Sequence, residues 1–109
     1  MTDSPGTDRQ QTAAAPELTE EDEDLLVQQQ LVAAVENQLL AGDPPAVQAV
    51  LNKLLLVGTP REEAIEMMAY VLAVEVQQTF IQERSFDVLE YERMLRALPE
   101  LPVMPDANP

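Results

Sequence analysis

Apolar residues recur at helical spacing through the middle of this chain and follow no period at its ends. Leu31, Val32, Val35 and Leu39 share one helical face, predicting a first helix that opens at Thr19 and stops at Gly42. Val47, Val50, Leu51, Leu54 and Leu55 form an i, i+3, i+4, i+7, i+8 stripe with Gln48, Asn52 and Lys53 outward, so a second helix is expected between Asp43 and Gly58. A third runs from Pro60 to about Gln82. Its stripe of Ile65, Met68, Leu72, Val76 and Phe80 is widened by Met67, Val71 and Val74, which marks it as the central element, flanked on two sides. The fourth opens at Ser85-Phe86-Asp87 and turns Tyr91, Met94, Leu95 and Leu98 inward, with Glu90, Arg93 and Arg96 outside. No alternating run predicts a strand, and no internal repeat is visible.

The helix starts carry their own signals. Thr19-Glu20-Glu21-Asp22 has the form of a capping box, and the acids from Glu20 to Asp24 sit on the positive end of the helix dipole. Asp43 before Pro44-Pro45 is expected to cap the second helix, with prolines in its first turn. Thr59-Pro60-Arg61-Glu62 predicts a box with Thr59 as cap and Pro60 at the first helical position. Asp87 with Glu90 predicts another, and Phe86 ahead of it is placed to staple onto Tyr91.

Residues 1–18 are rich in Ser, Thr, Asp, Gln and Ala, interrupted by Pro5, Gly6 and Pro16, and read as a disordered acidic arm. Pro99, Pro102, Pro105 and Pro109 make residues 99–109 a flexible proline-rich tail, leaving 19–98 as the helical body. The expected architecture is all-α: a small four-helix bundle of helical hairpins between two irregular ends. A chain of 109 residues supports one core at most.

Composition narrows the chemistry. The chain has Cys 0 and His 0, which removes thiol nucleophiles, imidazole acid–base catalysis, disulfides and every zinc site built on those ligands. No apolar run approaches the roughly 18–20 residues of a membrane span, and the chain start lacks a signal peptide's basic and apolar segments, so a cytoplasmic protein without membrane attachment is expected. The net charge is −14, repelling phosphate backbones and anionic lipid, and nucleic acid is not an expected partner. Half of that excess lies in residues 1–24, with eight acids against Arg9 alone.

The candidate functional residues are therefore acidic. Asp22, Glu23 and Asp24 belong to a run longer than one helix dipole requires. Glu62, Glu63 and Glu66 cluster at the start of the third helix, where a solvated face is the ordinary explanation and a divalent-cation site with weak hydrolytic chemistry the alternative. Glu66 and Glu75 are separated by about 900° of helical rotation and share no site. Tyr70 lies at the edge of the wide stripe near Glu63 and Glu66 and is a candidate contact residue. The helix–turn–helix arrangement of residues 47–80 invites a DNA-reading interpretation, but Arg61 is followed by Glu62, Glu63 and Glu66, the wrong charge for it. Met67, Met68 and Met94 are read as core filling rather than a Met-lined groove.

Pro44-Pro45, Gly58, Arg61-Glu62-Glu63-Ala64-Ile65, Phe86-Asp87, Tyr91, Leu95 and Leu98-Pro99 together resemble a small bacterial family of helical proteins with a domain of unknown function. The resemblance covers about residues 43–99 and implies the helical fold without an activity. Proteins of that pattern often carry a His directly after the Ala-Ile pair, where this chain has Glu66. Expected, then, is a non-enzymatic protein–protein interaction or structural and regulatory module with neither cofactor nor metal. Its acidic surface faces a basic protein partner, or its spare apolar stripe pairs in a homodimer.

Overall fold

The structure, a computed structural model, describes residues 19–106, so the expected arm at 1–18 and the last three residues of the tail lie outside it. The four expected helices are present: α1 (Glu20–Ala41), α2 (Pro45–Leu56), α3 (Arg61–Gln82) and α4 (Val88–Ala97). No strand occurs among the described residues. The fold is all-α, with α3 in contact with each of the other three helices.

At the start of α1 the capping box forms as expected. The Thr19 hydroxyl accepts from the Asp22 amide at 3.1 Å, and the Thr19 amide donates back to the Asp22 carboxylate at 3.3 Å. Gly42 ends the helix at φ 69°, a left-handed conformation that costs glycine little, and the Gly42 and Asp43 amides close onto Leu39 and Gln38.

The two proline-led helices each start one residue later than their caps predicted. Pro44, not Asp43, is the cap of α2, because Pro45 forces the residue before it into extended geometry, with ψ 152°. Pro60, not Thr59, caps α3 in the same extended geometry, and its carbonyl accepts the first intrahelical bond from Ala64. Neither start has a side-chain cap, so the Thr59–Glu62 box does not form. The fourth start is half as expected. Asp87 caps α4 by accepting from the Glu90 amide at 3.1 Å, but its own amide donates to Glu75 at 2.8 Å rather than to Glu90. Glu90 is turned outward to Arg93 instead.

The core gathers Val35 from α1; Ala46, Val47, Val50, Leu51 and Leu54 from α2; the faces of α3 through Ile65, Met68, Val71, Leu72 and Val74; and Tyr91, Met94, Leu95 and Leu98 at α4. Two expected core positions are exposed. Leu55 falls beyond the side of α2 that packs, and Phe80, 74% exposed, lies on the last turn of α3 past the buried stretch that ends at Glu75. Residues 101–106 have no regular structure.

Candidate functional site

The two long helices are antiparallel. Arg61 at the start of α3 forms a two-pronged ion pair with Glu36 in the last third of α1, both bonds at 2.9 Å. Further along, Asp24, Val27 and Leu31 of α1 line the same groove as Glu66, Tyr70 and Ala73 of α3. Hydrogen bonding from Arg61 pulls the Glu36 carboxyl below its ordinary value, against the opposing effect of partial burial. The pair is solvent-washed, with side chains 53% and 39% exposed, so Glu36→Gln should change unfolding stability by less than about 1 kcal/mol in urea titration.

This pairing separates the acidic candidates. Asp22, Glu23 and Asp24 sit exposed in the first turns of α1, whereas Glu62, Glu63 and Glu66 lie toward the opposite end of the hairpin. Asp24 and Glu66 meet across the hairpin in the α1/α3 groove, with Tyr70 half-buried between them, and Glu66 also lines a second groove with Glu62, Glu36 and Arg61. Among the described residues no group of three or more acids is placed to hold a metal ion. No helix among them is long and apolar enough to cross a membrane.

The first half of α1 is its most unusual part. Every residue from Glu20 to Gln30 is exposed, including Leu25, Leu26 and Val27 at 55%, 45% and 54%. Helices in water are held mainly by packing of an apolar face, and here Leu25, Leu26 and Val27 follow the acidic turn with about half of each residue left in solvent.

One residue of consequence escaped the sequence pattern. Glu75 is completely buried, and its carboxylate accepts from Arg84 at 2.5 and 3.1 Å as well as from the Asp87 amide. The chain reverses to make this contact: Glu83 takes φ 52°, which turns Arg84 back along α3. A buried carboxylate is a familiar acid–base candidate, but three donors already occupy this one and it does not line the α1/α3 groove. Its role is to fasten the start of α4 to α3. The available signal in the sequence was a lone acid among Val71, Leu72, Val74 and Val76, with an arginine just past the helix end.

Comparison with protein-family models, curated proteins and solved structures found no match.

Proposed function

We propose that this protein is a non-enzymatic protein–protein interaction module whose helical body holds an acidic helix out to a basic protein partner. One observation carries the reading: the exposed first half of α1, where Glu20 to Asp24 run directly into half-exposed Leu25, Leu26 and Val27. Charge brings a cationic surface close, and the adjoining apolar side chains give it something to bury. The remaining inventory supports a binding role. Cysteine and histidine are absent from the chain, and Glu75, the one buried charged group among the described residues, is spent on Arg84 and Asp87. Self-association is the weaker choice, since each copy adds a net charge of −14. A cysteine-free acidic chain also suits a cytoplasmic setting. The resemblance of residues 43–99 to a bacterial helical family agrees with the body and adds no activity.

The test is affinity capture from the protein's own cells with the tagged full chain and with a variant in which Glu20, Glu21, Glu23 and Asp24 become Gln or Asn. Asp22 is left in place because it completes the cap of α1. The wild-type chain should recover a protein with a basic surface, and the neutralised variant should lose it while its circular dichroism and melting temperature stay close to wild type. Equal recovery by both chains contradicts the proposal.

A further inference from the structure

The groove between α1 and α3 has a volume of about 500 Å³ and a mostly apolar wall. Val27, Leu31, Tyr70 and Ala73 come from the two helices, and Met104 reaches in from the tail. Asp24 lies toward one end and Glu66 toward the other, and no basic side chain lines it. Extending the Arg61–Glu36 pairing along the antiparallel helices sets Leu31 across from Glu66, which separates the two carboxylates by about seven residues of α1, roughly 10 Å. Among the described residues the ion-paired arginines are Arg61, Arg84 and Arg93, held by Glu36, Glu75 and Glu90, so neither groove carboxylate is neutralised by them.

We infer that this groove is the docking site for an amphipathic helical segment of another protein, bearing apolar side chains at i, i+3 or i+4, and i+7 with Lys or Arg at both flanks. The inference rests on the reading of the protein as an interaction module and states where and how the partner is held. An apolar row at that spacing is about 10 Å long, comparable to the separation of the two carboxylates, so Lys or Arg just beyond its ends reach back to Asp24 and Glu66 along their flexible side chains. The incoming helix lies beside α1 and α3 as a third rod and covers Val27. Met104 is the one apolar wall residue carried by irregular chain rather than by a helix, and its unbranched side chain yields to an anchor more easily than a helix-borne residue does. A second copy of this chain is disfavoured by its own acids.

Two labelled peptides of equal charge test this by fluorescence anisotropy against the full chain: a helical Lys-flanked peptide with Leu anchors, and the same peptide with Ser at the anchor positions. The Leu peptide should bind at least about tenfold more tightly than the Ser peptide. Ala73→Leu, which fills the groove, should weaken it by a similar factor, and so should the exposed-residue double variant Asp24→Lys with Glu66→Lys. Equal binding of both peptides, or no effect of Ala73→Leu, overturns the groove and leaves charge-driven capture by α1 standing. Binding by neither peptide overturns the groove as well, and the capture experiment above then decides the broader reading by itself. A dimer in sedimentation that Ala73→Leu abolishes overturns it in favour of a second copy.

Discussion

Replacing Glu75 by alanine should cost about 3 kcal/mol or more of unfolding stability, the largest single loss expected from a charged residue of this protein. The carboxylate is fully buried and has three donors: two from the Arg84 guanidinium and one from the Asp87 amide. Alanine leaves the amide without its acceptor and the guanidinium beside apolar α3 without its counter-ion, and it opens a cavity where the side chain was. Because Asp87 is also the cap of α4, that helix loses its anchor at the same moment. Glu75→Gln keeps the shape and one acceptor oxygen, so a smaller loss is expected. Urea denaturation followed at the helical circular-dichroism band measures both, and a Glu75→Ala midpoint equal to wild type would show that the buried pair does not hold α4.

Tyr91 should be the most costly aromatic to remove. Its ring is 1% exposed and meets Phe86 edge-on with centroids 5.4 Å apart, while its hydroxyl donates to the Gln38 side-chain oxygen at 2.7 Å. One residue thus joins the staple of α4 to α1. Tyr91→Ala is expected to cost about 3–5 kcal/mol and Tyr91→Phe about 1 kcal/mol, since phenylalanine keeps the buried ring and loses only the bond. The hydroxyl adds a pH signature. Burial pushes its pKa up to about 12 from an ordinary value of 10.0. The unfolded chain therefore gives up this proton first as pH rises. The stabilisation is complete below pH 10 and is lost between 10 and 12, at up to about 1.4 kcal/mol per pH unit. The stability difference between wild type and Tyr91→Phe should accordingly shrink or reverse across that window, and a constant difference would contradict the burial.

What could be read from the sequence is what short-range chemistry decides. The Thr19 box, the Gly42 stop and the Phe86–Tyr91 staple each depend on residues within a few positions of one another, and each formed. The stripe of α2 was legible up to Leu54 and failed at Leu55, because periodicity gives the direction of a face and not its width. Phe80 failed for a related reason: it continues the period of α3 beyond the buried stretch, and a stripe does not reveal where its neighbours end. The prolines misled by one residue at Pro44 and Pro60, where extended backbone at the proline itself took the capping position. Glu75 was illegible as a fastener because its partner lies past the helix end and arrives only through the left-handed turn at Glu83. For the candidate site, the residue types were visible and the grouping was not. Asp24, Glu66 and Tyr70 meet only because α1 and α3 run antiparallel, which separates Asp22 and Glu23 from Glu62 and Glu63.

The ionic-strength dependence of the complex captured from native cells is the most direct measurement of whether the exposed acidic half of α1 meets a basic partner. At a Debye length of about 10 Å in 0.1 M salt and about 3 Å in 1 M, a contact drawn together by Glu20 to Asp24 should weaken steeply between those conditions. Neutralising Glu20, Glu21, Glu23 and Asp24 should flatten that dependence. Affinity that is indifferent to salt, and unchanged in the neutralised chain, would contradict the account.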